Sequence, residues 1–550
     1  MKHSVLKIHP ADNVLVALRD IKQGETIQFK EDVFLLKNDV PAKHKFTTTN
    51  LQKGDVITMY GITVGKAVQD IERGSRISTE NIVHATDAFH QSTKKNNWVA
   101  PDVSNWQHKT FMGYHRSNGS VGTANYWLVV PMVFCENRNV EKMKEAMLEE
   151  LGYKAKGKYS SLTHKLKKAY VSGKDFLADD FNIDVLEEED DDAGKLFSNI
   201  DGIKFLTHTL GCGGIRQDAN TLCGLLAGYI THPNVAGATV LSLGCQNAEV
   251  KTLEAEIAKR DAGFNKPLFI LDQQQTGKGS DFISLAIKQT FRGLAEANKI
   301  TRQPASINKL IIGLECGGSD GFSGISANPA IGYTSDILVT CGGAVILSEF
   351  PELCGVEQEI SERCTDEKNA ERFMHLMKTY NQLAENAGSG FYMNPSPGNI
   401  KDGLITDAIK SAGASKKGGS SPVVDVLDYP QKVNKQGLNL LCTPGNDVES
   451  TTAEVAAGAN IVLFTTGLGT PTGNPVTPVI KISSNTKLYN RMQDIIDINA
   501  GTIIEGEETI EEAGERILDY VIKVASGDIK VCAVKNEQDD FIPWKRGVSL

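Results

Sequence analysis

The chain has 550 residues, 40% hydrophobic and 23% charged, with a formal net charge of −10, a balance that predicts two to four domains and argues against a general nucleic-acid surface. No run reaches the roughly 18 apolar residues of a membrane span, and the N-terminal MKHSVLKIHPADN lacks the apolar core of a secretory signal. Ten scattered cysteines without a CxxC pair argue against a disulfide framework or a four-thiolate zinc site, so the cytoplasm is the expected compartment.

Residues 1–88 read as a small β-rich domain. Three blocks, DIKQGETI, NLQKGDVI and DIERGSRI, form a weak repeat, each a glycine turn that enters a strand. A compact barrel or clip of strands is expected. Residues 89–110 are polar and read as a linker. An α/β unit is expected over 111–394, beginning with the buried strand YWLVVPMV at 126–133. Residues 141–200 are rich in Lys and Glu, and the acid run at 187–192 reads as a solvated loop. Strand-then-glycine units follow, with strands predicted at 202–207, 238–243, 267–271, 310–314 and 337–340. Helices are predicted at 249–262 and 281–298. A second α/β unit, 395–550, repeats the pattern from 460–465 onward. Strands alternating with helices predict mainly parallel sheets.

Chemistry is expected at the carboxyl ends of those strands, where α/β proteins bind ligands. The richest segment is GLECGGSDGFSGISANPAIGYTSD at 313–336, read as a strand end and a long polar connector. Three strand ends join Cys to His, acid or amide: His208 with Cys212, Cys245 with Gln246, and Glu315 with Cys316 and Asp320. If their strands neighbour one another in one sheet, these loops form one acid/base and metal-binding pocket. Gly211-Cys212-Gly213-Gly214 is neither a dinucleotide fingerprint nor a phosphate loop, and no G-x-S-x-G elbow is present. The bland alternatives are a satisfied buried histidine at 208 and buried, inert thiols.

These motifs resemble the altronate/galactarate dehydratase family over nearly the whole length. The resemblance is carried by Val40-Pro41-Ala42-Lys43-His44-Lys45, GSVGTANY at 119–126, THTLGCGG at 207–214, His232-Pro233-Asn234-Val235, Gly244-Cys245, the 313–336 segment, GNDVESTT at 445–452 and TTGLGTPT at 465–472. It implies an N-terminal SAF-type β domain followed by two α/β units. It also implies dehydration of D-altronate to 2-dehydro-3-deoxy-D-gluconate in galacturonate catabolism, assisted by Fe²⁺ or Mn²⁺, with no organic cofactor. The implied partner is a small sugar acid; nucleic acid and membrane are not implied, and homo-oligomerisation is left open. On this basis His208 is expected as base or metal ligand, and Cys212 or Cys316 near the metal. Glu315 and Asp320 are expected in acid/base work or ligation, and Ser319, Ser323, Thr465 and Thr466 on substrate hydroxyls. His44 is expected to reach in from the small domain as a ligand. The run matching the relatives' HVHSHN is Arg76 to Asn81, which keeps only the Asn; His84 lies three residues on. Galactarate or another sugar acid, and binding without turnover, are the competing readings.

Overall fold

A computed structural model describes residues 4–87, 89–90, 98–154, 158–173 and 194–550. The acid run at 187–192 lies outside the described residues. Among them, no helix is long and apolar enough to cross a membrane.

The N-terminal domain is built from short antiparallel strands. Val5–Leu6, Val14–Ala17 and Lys45–Thr47 form one sheet, Thr26–Phe29 and Asp32–Leu35 a hairpin, and Val56–Met59, Ile62–Ala67 and Ile82–Val83 another sheet. The repeat is structurally real: its glycines Gly24, Gly54 and Gly74 turn at φ 80°, 101° and 84°, a region open to glycine at no steric cost. Leu15, Ile21, Phe34 and Phe46 fill the small core.

The second unit holds a four-stranded parallel sheet. Its order is Gly202–Phe205, Tyr126–Pro131, Val235–Ser242, Leu268–Asp272. Trp127 and Val129 face helices Asn137–Leu148 and Gly279–Ala297; Leu128 and Val130 face the other way, in the cluster that includes helix Arg216–Thr231. This alternation is the period of two expected of a strand buried on both sides.

The third unit is one seven-stranded parallel sheet. Its order is Val423–Asp428, Gly437–Cys442, Ala344–Leu347, Ile311–Cys316, Ile461–Thr466, Val479–Ser483, Ile498–Asn499. Two expectations are corrected here. The division at 394/395 falls inside this sheet, whose strands come from both sides of it. The apolar run at 337–340 is not a strand but the end of helix Ala327–Thr340, and the strand is Ala344–Leu347. That helix is buried along most of its length, so it lacks the polar stripe that marks a surface helix. The chain leaves Ile311–Cys316 towards one sheet edge and later continues from Ile461–Thr466 towards the other. The crevice at that reversal is where open α/β sheets bind ligands.

Candidate active site

Register places Cys316 opposite Thr465 at the crevice. The Cys316 thiol lies 3.0 Å from Glu352 Oε2 and 3.0 Å from the Lys417 ammonium. Its backbone N–H donates to Glu349 Oε2 at 3.2 Å, and Lys417 donates to the same oxygen. Lys410 pairs with Glu352 Oε1 at 2.6 Å and donates to Asn394 Oδ1 at 2.5 Å. Glu315, Cys316, Glu349, Glu352 and Lys417 are all buried. Glu349 adopts a left-handed backbone, φ 59° and ψ 56°, uncommon for any residue but glycine. Its N–H is fixed by Thr443 Oγ1 at 2.8 Å. Non-glycine residues held in such conformations cluster at functional sites.

Burial, then Glu349 and Glu454, push the Glu315 carboxyl well up, so it holds a proton. Glu315 Oε1 and Glu349 Oε1 have no partner as bare carboxylates; one proton shared from Glu315 to Glu349 satisfies both. Burial would raise Glu352, but Lys410 and Lys417 outweigh it and keep the group ionised. Burial would lower Lys417, but Cys316 and Glu349 outweigh it and keep the ammonium. The Cys316 thiol is pushed up by burial, Glu349 and Glu352. At the rim, Asp447 begins helix Asp447–Ala457, which Asn446 caps by accepting from Glu449 N–H. Burial, Glu349 and Glu352 push Asp447 up to about 7. A Cβ on residue 317 would come within 1.9 Å of Asp447 Oδ2; Gly317 is what lets this carboxyl lie against the Cys316 loop.

Cys316 Sγ and carboxylate oxygens of Glu349 and Glu352 all lie within 4.8 Å of one another. One soft and two hard donors suit a first-row divalent ion such as Fe²⁺, and the carboxylates suit Mn²⁺. A cavity of about 520 Å³ lies elsewhere, lined by Tyr333, Asp336, Glu359, Arg363 and Lys416 among others. None of the cluster's residues line it, and its mixed charges make no convergent chemical set.

The expected single pocket is corrected. His208, Cys212 and Cys245 follow strands that pair with Tyr126–Pro131, not with Ile311–Cys316. His208 is buried, and main chain holds both ring nitrogens: Nε2 donates to Pro131 O at 2.7 Å and Nδ1 accepts from Leu210 N–H at 3.1 Å. It has no lone pair free for a proton or a metal. Cys212 is exposed, in a separate cavity of about 120 Å³ with Phe134, Asp218 and Lys545. Gln246 is committed to Gly244 N–H and Ser242 Oγ at 2.8 Å each. Asp320 is saturated. It accepts from Phe322 and Ser323 N–H, from the Ser323 and Ser484 hydroxyls and from Asn485, and pairs with Lys43 at 2.9 Å. Ser323 is therefore spent on Asp320. Thr465 Oγ1 donates to Asn328 at 2.7 Å, and Thr466 Oγ1 accepts from Gly469 and Thr470 N–H. These hydroxyls shape the loops instead of facing a ligand. Ser319 is buried in the crevice loop, its carbonyl held by Asn399 at 2.7 Å. His44 does reach the large domain, but Nε2 bonds Lys401 O at 3.0 Å rather than joining the acid–thiol cluster. Sequence reasoning missed Glu349, Glu352, Lys410, Lys417 and Asp447. The acids of Ser348-Glu349-Phe350-Pro351-Glu352, just past an apolar run, were the available signal.

His208 shares its arrangement with His232, whose Nε2 donates to Ala459 O at 2.9 Å and whose Nδ1 accepts from Asn234 N–H at 3.1 Å. Burial pushes the two rings down to about 4 and about 3. Below the unfolded value of about 6.5 the unfolded chain takes up protons that the folded chain refuses. Stability is therefore lost as pH falls from about 6.5 to about 4, by roughly 3 kcal/mol for His208 alone at the acid end. Urea unfolding at about pH 7 and about pH 5 checks this. His208→Asn should lose less than wild type between them; an unchanged loss would discard the assignment.

Three family models match in chain order. The altronate/galactarate dehydratase SAF domain matches residues 3–85, the D-galactarate dehydratase/altronate hydrolase second domain 113–298, and the D-galactarate/altronate dehydratase C-terminal domain 307–549. An altronate dehydratase of Bacillus subtilis (strain 168) is 34% identical over 547 residues, covering 100% of each chain. The chain belongs to the altronate/galactarate dehydratase family. It is a sugar-acid dehydratase, a hydro-lyase. An altronate dehydratase of Escherichia coli (strain K12) is 31% identical, with 99% of each chain covered. A galactarate dehydratase (L-threo-forming) of the same organism is 30% identical, covering 96% of this chain and 93% of its own. The family's C-terminal domain starts at 307, just before the first strand of the seven-stranded sheet. That agrees with a division there and not at 394/395.

Proposed function

We propose that this dehydratase converts D-altronate to 2-dehydro-3-deoxy-D-gluconate at the Cys316 crevice, in the cytoplasm, as a step of galacturonate breakdown. The observation that carries the siting is the buried Cys316–Glu349–Glu352 donor set with Asp447, poised at about 7, beside it. The substrate assignment rests on likeness to the two altronate dehydratases. Cys316, Glu349 and Glu352 would hold the Fe²⁺ or Mn²⁺. When bound, the ion supplies Lewis-acid stabilisation of the enediolate formed at C1 and C2.

The chain's own groups supply the rest. Lys410 and Lys417 bring two ammonium groups to the strand ends and oppose the charge of the sugar-acid carboxylate. Ionised Asp447 takes the proton from C2. The resulting carboxylic acid gives that proton to the 3-hydroxyl, which leaves as water, and the enol tautomerises to the 2-keto acid. The Glu315 proton keeps Glu349 from adding a further full negative charge to the cluster. No organic cofactor enters the scheme.

The test is an anaerobic assay of reduced protein with D-altronate and with galactarate, each with and without Fe²⁺ or Mn²⁺, following 2-keto acid. Metal-dependent turnover of D-altronate in preference to galactarate is expected. Preference for galactarate, or turnover of neither, would overturn the substrate assignment.

A further inference from the structure

A second group of donors lies where the small domain ends on the large one. His84 follows the last small-domain strand, Ile82–Val83; Cys354 follows the turn Phe350–Leu353; Asp407 opens helix Asp407–Ala414. A ring nitrogen, the sulfur and a carboxylate oxygen lie within 4.8 Å of one another. Asp407 is 2% exposed, yet among the described residues its carboxylate has no well-formed hydrogen bond and contacts only His84 and Cys354. His84 Nδ1 touches the carboxylate, but not in hydrogen-bond geometry. Among the described residues no ammonium or guanidinium is paired with this buried carboxylate, which meets only the His84 ring and the Cys354 thiol, and burying a charge so weakly compensated is costly. A pocket with one imidazole, one thiol and one carboxylate is chemically a cation site.

We propose that His84, Cys354 and Asp407 bind a divalent cation of the Zn²⁺ class, and that this ion latches the small domain to the catalytic one. Nitrogen, sulfur and oxygen donors in one such set are those zinc takes, usually with four ligands. Half-exposed His84 and Cys354 leave a side open for water as the fourth. A thiol binds such an ion as the thiolate, so binding displaces the proton of Cys354.

The position gives the latch a consequence. Neighbouring contacts already tie the domains together: Thr406 Oγ1 donates to Val64 O at 2.9 Å, Lys45 Nζ to Gly403 O at 2.7 Å, and Lys43 pairs with Asp320 and Asp402 at 2.9 and 2.8 Å. The helix that Asp407 opens carries Lys410, and Lys417 lies in the turn that follows it. A cation on Asp407 therefore fixes the start of the segment that delivers both ammonium groups to the Cys316 cluster. This site is separate from the one assigned to Fe²⁺ or Mn²⁺ and does not depend on it.

The test uses full-length Cys316→Ala protein, which removes the other clustered thiol. It is stripped with chelator and titrated with Co²⁺, then with Zn²⁺. Expected is a thiolate-to-cobalt charge-transfer band at one equivalent, displaced by Zn²⁺, with Zn²⁺ raising Tm. Both signals should disappear when Cys354→Ser is added. His84→Gln, at a part-exposed position, should weaken Co²⁺ binding at least tenfold and keeps the test alive if the Ser variant fails to fold. A missing band in Cys316→Ala, or a band that survives both added substitutions, would overturn the proposal.

Discussion

Asp447→Asn should lower kcat by about 10²–10⁴-fold, the range for a positioned acid/base group, while leaving the protein folded. The substitution keeps the shape of the side chain at the start of its helix, and the helix cap belongs to Asn446, not to Asp447. The pH profile separates this from a packing effect. Burial, with Glu349 and Glu352 adding to it, pushes the Asp447 carboxyl up to about 7. A base works only when ionised, and the bound cation offsets Glu349 and Glu352, so wild-type kcat should rise with pH along a limb that lies below about 7 in the metal-loaded enzyme and then level off. The Asn variant should lose that rising limb along with the rate. A variant with near wild-type kcat, or one that keeps the limb, would remove Asp447 from the mechanism.

Lys417→Met should cost about 3–5 kcal/mol of stability, the range for breaking a buried ion pair from one side. Lys417 is 1% exposed and Glu349 is fully buried, and their contact is the direct counter-charge to that carboxylate. Methionine fills most of the volume, so the loss is electrostatic rather than a cavity. The stranded carboxylate can escape only by taking a proton. The penalty should therefore shrink as pH falls, opposite to the behaviour of the two buried histidines. Denaturant unfolding of the transition that includes the seven-stranded sheet reads both. A loss under about 1 kcal/mol, or one that grows on acidification, would show that the pair is not what holds Glu349 in place.

Much of the architecture is legible in the chain. The strands at 126, 235, 311 and 461 are mainly apolar segments, and the structure has each of them. The repeat glycines of the small domain announced its turns. What the chain does not display is sheet membership. A βα unit pairing with Tyr126–Pro131 reads the same as one pairing with Ile311–Cys316, so His208 and Cys212 seemed to converge with Cys316 when they belong to another sheet. Residue type also misled at His208, where two main-chain bonds use the nitrogens that catalysis would need. Glu349 and Glu352 were hidden by a helix buried on nearly every side, which reads as a loop followed by a strand and displaces the next strand end. Lys417 sits in a Lys-Lys-Gly-Gly-Ser-Ser stretch that reads as a solvated boundary, because its burial comes wholly from tertiary packing. Cys316 and Glu315 were found because their strand is unmistakable and their loop is rich in polar groups.

The siting of the chemistry is tested most directly by the anaerobic Fe²⁺-dependent assay run in parallel on wild type, Cys316→Ala and His208→Asn, with bound iron measured in each. If the crevice of the seven-stranded sheet is the active site, Cys316→Ala loses iron and turnover together while His208→Asn keeps both. Retained iron and turnover in Cys316→Ala, with loss in His208→Asn, would move the active site to the four-stranded sheet and contradict the account.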